Sequence, residues 1–183
     1  MLEPIFQPFP EISTDRLLLR KITPADVHTF YALRTNENVM RYIDKDPPKN
    51  MEEAAATLNR IEKDLETNDG ITWAVCLKSH QEALIGTVGF WRLMKAHYRA
   101  EIGYMLHPDF WRQGLMEEAV AASIDYGFNK IKLHSIQANI NPGNGASAGL
   151  LEKLGFMREA YFKEDYYFRG RFLDSAIYSL LGK

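Results

Sequence analysis

Leu106-His107-Pro108-Asp109-Phe110-Trp111-Arg112-Gln113-Gly114-Leu115-Met116 joins two segments of different period, and the change across it decides the fold. Before it, Ala100 to Leu106 reads as a strand that His107-Pro108 ends. After it, Arg112 to Phe128 reads as a helix with Leu115, Ala119, Ala122 and Tyr126 along one side. Leu133 to Asn139 is a strand again. A connection that long and helical makes the two strands parallel. Gly114 at the opening turn exposes backbone N–H groups at the positive end of the helix, a ready anion site to which Arg112 adds a charge-assisted contact. An ordinary turn glycine explains the residue as well. The setting favours the anion site, because open sheets leave a ligand crevice beyond the carboxyl ends of neighbouring parallel strands.

Working outward, Leu17, Leu18 and Leu19, closed by Arg20 and Lys21, read as a strand. Thr23-Pro24-Ala25-Asp26 then starts a helix to about Leu33, with Thr23 as N-cap and Asp26 at the positive end of the dipole. Asp46-Pro47-Pro48 breaks the chain, and Asn50 with Glu53 caps a second helix carrying Ala54, Leu58, Ile61 and Leu65 at helical spacing. Asn68-Asp69-Gly70 stops it. Ile71, Trp73, Val75 and Leu77 alternate with Thr72, Ala74, Cys76 and Lys78, and a turn at Ser79 to Gln81 leads to a partner strand, Ala83 to Leu93. Toward the other end, Asn141-Pro142-Gly143-Asn144-Gly145-Ala146-Ser147 precedes a short helix, Ser147 to Leu154, closed by Gly155. Tyr166 to Phe168 and Phe172 to Leu181 flank Arg169-Gly170-Arg171 as a hairpin. The expected architecture is α/β of the α+β kind: one mixed, mostly antiparallel sheet of about seven strands, a central parallel pair, and helices on both faces.

Composition bounds the function. With 183 residues against roughly 150 per domain, residues 1–183 are expected to form one domain. Twenty-two basic and 24 acidic residues give a net charge of −2, which offers no global footprint for nucleic acid or an anionic membrane. A single cysteine, Cys76, makes no internal bridge and reads as a buried thiol in a reducing compartment. The first ten residues carry Glu3 and three prolines in place of a basic run and an apolar core, unlike a signal peptide, and no apolar run approaches 18 residues. A soluble, cytoplasmic protein is expected. The histidines, at 28, 80, 97, 107 and 134, show no helical pair with metal-ligand spacing, so no metal is expected. Trp73, Phe90, Trp91 and Tyr104 read as core or groove wall, with no basic stripe to make them a platform for bases. Gly103, inside a strand, marks a bulge or a close approach to that backbone.

In order and spacing, these pieces resemble the GNAT acyl-CoA N-acyltransferases, and within them the RimJ/RimL-like branch of ribosomal-protein alanine N-acetyltransferases. The resemblance runs from Thr14-Asp15-Arg16-Leu17-Leu18-Leu19-Arg20 to Asp174-Ser175-Ala176-Ile177-Tyr178-Ser179-Leu180. Its most specific parts are Glu101-Ile102-Gly103-Tyr104, the turn Trp111 to Ala119, and Asn144-Gly145-Ala146-Ser147 followed by Leu151 to Phe156. It implies that the parallel pair splays apart for acetyl-CoA, with Arg112, Gln113, Gly114, Leu115 and Met116 holding the pyrophosphate. Backbone of Tyr104, Met105 and Leu106 would pair with the pantetheine arm, which Asn144 would also contact. Two departures stand out: Met116 replaces a Gly or Ala common among relatives, and Leu151 stands where another branch carries a tyrosine acid. Ser147 is the candidate replacement for that acid.

Acyl transfer to an amine needs a neutral amine, a stabilised oxyanion and a proton for the departing thiolate. An α-amino group, with pKa about 8, loses its proton far more readily than lysine near 10.4, so a weak base serves. Glu101 is the candidate base, directly or through water, with His107 or His134 as fallback, and a backbone N–H near Met105 is the candidate oxyanion donor. Glu101 also reads as an exposed strand-end carboxylate and Ser147 as a helix cap. The expected partners are acetyl-CoA and an amine acceptor, such as a peptide N-terminus or small amine, with a homodimer left open. Glu52 and Glu53 offer a pull on a cationic acceptor, or simply a solvated helix face. The rival expectation is a domain of the same fold that senses acyl-CoA, or binds a protein, and catalyses nothing.

Overall fold

The computed structural model describes residues 1–182. In chain order the strands and helices are β1 (Ile12–Ser13), β2 (Leu17–Lys21), α1 (Val27–Thr35), α2 (Glu37–Met40), α3 (Met51–Glu66), β3 (Ile71–Leu77) and β4 (His80–Met94). They continue with β5 (Arg99–Leu106), α4 (Leu115–Tyr126), β6 (Ser135–Ile140), α5 (Gly145–Lys153), β7 (Met157–Phe168) and β8 (Arg171–Leu181). One sheet of eight strands holds them in the order β1-β2-β3-β4-β5-β6-β8-β7, antiparallel throughout except for β5 beside β6. The eighth strand is the two-residue β1, too short to carry a period. No helix among the described residues is long and apolar enough to cross a membrane.

Strand period two separates two cores. Trp73 and Val75 of β3 pack with Leu115, Ala119 and Val120 of α4 and with Leu151 of α5. Their alternates Ala74 and Cys76 pack with Phe30 and Leu33 of α1 and with Ala54 and Leu58 of α3. Both faces of β3 are therefore covered. Trp73 is fully buried, meets Phe9, Phe90 and Tyr126 edge to face, and donates its indole N–H to the Pro10 carbonyl at 2.7 Å.

Local signals set the helix starts. Asn50 caps α3 by accepting from the Glu53 N–H at 2.9 Å, while Glu53 Oε2 accepts from the Lys49 N–H at 2.8 Å. Thr23 and Asp26 form a capping box around a 3₁₀ turn, Pro24–Asp26, that leads into α1. Asp26 is buried and carries more than the cap: Arg20 bonds both its oxygens, at 2.7 and 2.9 Å.

Several boundaries differ from the periodicity. The helix expected from Arg112 begins at Leu115, because Arg112 (φ +59°) and Gly114 (φ +73°) are left-handed and no α-helix passes through such residues. Its far end widens into a π-helical turn over Gly127–Ile131. The last helix starts at Gly145, capped by Asn144 instead of Ser147: the Asn144 side chain accepts from the Ser147 N–H at 3.1 Å. β7 is much longer than the expected Tyr166 to Phe168. Exposed along nearly its whole length at the sheet edge, it shows no alternation for a sequence to reveal. The bulge lies not at Gly103 but opposite it, at Trp91 of β4, where Phe90 pairs with Ile102 and Arg92 with Glu101.

Candidate active site

The parallel pair β5 and β6 touches only at Arg99–Ser135, Ala100–Ile136 and Glu101–Gln137. Beyond that point β5 stays with β4 as far as the Gly86–Leu106 pair, and β6 stays with β8 as far as Ile140–Ala176. Each strand follows its own outer partner, and a gap opens between them. The His107 N–H donates to the Ile85 carbonyl at 2.8 Å, which fixes the alternation of the β4–β5 ladder. By that alternation Gly103 and Met105 bond toward β4, whereas the amides of Tyr104 and Leu106 face the gap. Of the amides around Met105, those of Tyr104 and Leu106 are thus the ones open to the gap. Leu106's carbonyl is already taken, by the Trp111 indole N–H at 2.8 Å.

Two cavities meet at the gap. One, of about 580 Å³, runs from Tyr104, Met105 and Leu106 past Arg112 and Gly114 to α5. The other, of about 700 Å³, lies over Glu101 and Gly103 and reaches α1 and α3. They share Tyr42, Ile43, Tyr104, Met105, Asn144 and Ser147, so the two spaces are continuous across β5.

The turn before α4 is held from a distance. Arg16 donates to the Gln113 carbonyl at 2.8 Å and pairs with Glu118 at 2.7 Å, and Glu118 also accepts from the Arg16 N–H. These bonds cross about a hundred residues, so no local sequence signal reveals Arg16. Arg112, Gly114, Leu115 and Met116 line the first cavity. Gln113 does not; its side-chain amide donates to the Asp109 carbonyl at 3.0 Å. Met116 is largely buried, part of the core under α4.

Glu101 is not the exposed strand-end carboxylate that its charge suggests: only 4% of it is accessible. Its Oε2 accepts from Gln137 Nε2 at 3.1 Å and from Arg92 at 3.4 Å. No bond falls on Oε1, which keeps contact with the second cavity. Above Gly103 lies the Trp91 indole, 3.4 Å from where a Cβ would stand, so the close neighbour there is this ring.

Freed from capping, Ser147 meets a partner that the sequence did not suggest. Its hydroxyl lies 2.7 Å from the Tyr104 phenol, and Leu151, one turn further on α5, is fully buried in the core. Burial pushes the Tyr104 phenol up to about 12, against the smaller opposing effect of the Ser147 bond. Asn144 keeps its side-chain NH₂ group for other contacts. His107 lies at the mouth of the α4 turn, where its Nδ1 accepts from the Asp109 N–H at 3.3 Å, and His134 is exposed. Neither lines the cavities. Glu52 and Glu53 lie at the exposed start of α3, also outside both cavities. Among the described residues, no three His, Cys, Asp or Glu gather into a metal site.

The model of the acetyltransferase (GNAT) domain matches residues 16–157, most of the chain and all of the site up to α5. The chain belongs to the GNAT acetyltransferase family. It is 35% identical to the uncharacterized N-acetyltransferase YoaA of Bacillus subtilis (strain 168), over 94% of this chain and 97% of that protein. With the [ribosomal protein uS5]-alanine N-acetyltransferase of Escherichia coli (strain K12) it shares 32% identity, over 55% of this chain and 52% of the other. A solved structure of RimL, the ribosomal L7/L12 alpha-N-protein acetyltransferase in complex with coenzyme A, superposes with a TM-score of 0.85. That match covers 94% of this chain and 98% of the other at 19% identity, a likeness of fold. This GNAT chain thus has the RimJ/RimL-like relatives that its motifs imply.

Proposed function

We propose that the protein transfers the acetyl group of acetyl-CoA to a primary amine, peptide α-amino groups included, by direct attack in a ternary complex. The observation that carries this reading is the junction of two cavities at the β5–β6 gap, with Glu101 on one side and the Tyr104–Ser147 pair on the other. Acetyl-CoA, when bound, supplies a thioester already activated toward amines. The residues suited to hold it are Tyr104, Met105 and Leu106 on the strand, Arg112, Gly114, Leu115 and Met116 at the turn, and the Asn144 NH₂ group. A bare strand edge fits an amide-bearing arm, and a helix start fits a diphosphate. An unpaired, buried Cys76 suits work in a reducing cytoplasm.

Glu101 Oε1 receives the amine proton, directly or through one water, and Gln137 and Arg92 hold the carboxylate in place for it. Of the two amides that face the gap, Tyr104's and Leu106's, one serves as oxyanion donor and the other bonds the pantetheine arm. Tyr104 and Ser147 donate toward the departing sulfur. A phenol near 12 is a much weaker acid than a thiol near 8.5, so Tyr104 keeps its proton and stabilises the sulfur by a hydrogen bond; CoA leaves as the thiolate and equilibrates with solvent, while the amine's proton goes to Glu101. The phenol supplies the hydroxyl that Leu151 lacks, and with it the sensor reading loses its main support.

A turnover assay measuring CoA release with peptide and polyamine amines tests the reading. Acetyl-CoA binding with no turnover on any amine overturns it. Tyr104→Phe should lower kcat by roughly 10- to 100-fold, the loss of one hydrogen bond to a charged group, with the KM for acetyl-CoA little changed. In the unaltered enzyme, kcat/KM for an α-amine should rise up to about pH 8 and then hold level to pH 10, because the amine has lost its proton while the raised Tyr104 phenol has kept its own. A fall in rate between pH 8 and 10 contradicts this assignment. At the turn, Gly114→Val should raise the KM for acetyl-CoA by roughly tenfold or more, since a β-branched residue at φ +73° costs about 1–2 kcal/mol or displaces the backbone. Equal changes in both KM values would move the diphosphate elsewhere.

A further inference from the structure

The second cavity is unusually cationic for one that would receive a positively charged amine. Arg34, in the last turn of α1, and Arg60, on α3, both line it. Lys45 enters from the loop between α2 and α3 and Arg92 from β4, placing their charges 4.4 and 4.8 Å from the centre of the Trp91 ring. Three acids line the same space, Asp44, Asp64 and Glu101, and none forms an ion pair with Arg34, Arg60 or Lys45. Asp44 accepts the Tyr166 hydroxyl, Glu101 is bonded by Gln137 and Arg92, and Asp64 lies one turn after Arg60 on α3, beside Gly70. Among the described residues, Arg34, Arg60 and Lys45 have no carboxylate within 4 Å (Arg92 alone of the four is paired, with Glu101).

Arg60 and Lys45 are exposed, so water screens them, but Arg34 is only partly accessible, and an unneutralised guanidinium there is costly unless something anionic visits it. The cost is visible here: burial first, and then the charge of Arg60, pushes the Arg34 guanidinium below its ordinary value, though it stays charged at neutral pH. Lys45 is pushed down as well, by loss of water first and then by Arg34 and Arg60, against the smaller opposing pull of Glu101.

We propose that the acceptor amine also carries an anionic group, a carboxylate or a phosphate, which docks on Arg34, Arg60 and Lys45 while its nitrogen lies at Glu101. The proposal rests on the acetyl-transfer reading above and narrows it to amines that carry negative charge. Guanidinium forks match carboxylate and phosphate oxygens in pairs, and the Lys45 ammonium, already seated on Trp91, adds a third contact. The same charges repel polyamines. Both demands on one acceptor, a neutral nitrogen at Glu101 and an anion at the arginines, fix its orientation across the floor of the cavity.

The test compares acceptors that differ only in the charged group: Ala-Asp-amide against Ala-Asn-amide, and 2-aminoethyl phosphate against ethanolamine, with spermidine as the cationic acceptor. The anionic member of at least one pair should show kcat/KM about tenfold or more above its neutral partner, and the pair that does so separates carboxylate from phosphate. The double variant Arg34→Gln/Arg60→Gln should remove most of that preference and leave the KM for acetyl-CoA unchanged. A preference for spermidine or for the neutral partners overturns the inference, as does an anionic preference that survives in the double variant. A rise in the KM for acetyl-CoA without any anionic preference also overturns it, since the cations would then serve the cosubstrate. If no amine is acetylated, the function reading fails by itself. Titration calorimetry with Ala-Asp-amide and 2-aminoethyl phosphate still decides the inference: saturable binding lost in the double variant supports it, and no binding rejects it.

Discussion

Replacing Glu101 with glutamine should lower kcat/KM for an amine acceptor by about 100- to 1,000-fold at pH 7, within the range that a positioned general base contributes. The substitution keeps the side chain's size and retains an acceptor oxygen for Gln137 and Arg92, so folding and acetyl-CoA binding should stay as they are. Only the capacity to take a proton disappears. The loss should therefore shrink as pH rises past the acceptor's own value, about 8 for an α-amine, because an amine that is already neutral needs no base. Rate profiles of the two proteins from pH 6 to 10 measure this. A deficit of equal size at every pH would make Glu101 a positioning group, and a change under threefold would transfer the role to another residue or to water.

The largest effect on stability is expected far from the gap. Asp26→Ala should reduce the free energy of unfolding by about 3–5 kcal/mol, because it strands Arg20 without its counter-charge in a mostly buried position. Four bonds converge on the Asp26 carboxylate: two from Arg20, and two from the Thr23 N–H and hydroxyl. For a chain of this length the melting temperature should drop by roughly 6–20 °C in a thermal scan. A loss under 1 kcal/mol would show that the pair is replaceable. The sign of the pH effect follows from the same bonds. Burial alone would raise the Asp26 carboxyl, but the Arg20 and Thr23 bonds outweigh it and hold the group below the usual carboxylate range. Its contribution is thus complete above about pH 4, the unfolded value, and is lost as pH falls through the lower folded one. The gap between wild type and Asp26→Ala should close in that acid window.

Much of the fold is legible in the residues because the relevant forces are local. The alternation of Ile71, Trp73, Val75 and Leu77 defines β3, the Asn50 cap starts α3, and a helical crossover requires β5 and β6 to be parallel. What stays hidden depends on contacts or on backbone choices that composition does not encode. Asn144 and Ser147 are both good cap residues, and only the folded chain decides that Asn144 caps while Ser147 turns to Tyr104. The left-handed Arg112 has no marker, since glycine is the residue that conformation favours. Glu101 looks solvated on a strand read alone; burial comes from β4 and β6 on either side. The cationic wall is drawn from α1, α3, a loop and a bulge, four places with no shared sequence pattern.

The seam between β5 and β6 has one more consequence. Three residue pairs stitch the block β1 to β5 onto the block β6, β8 and β7 within the sheet, and past Glu101 the two blocks part company. Acetyl-CoA bound there as proposed would bridge both lips like a ninth strand, and the cosubstrate would double as mortar. Heat resistance would then be a function of how much donor the surroundings hold, growing with the logarithm of its concentration over its dissociation constant.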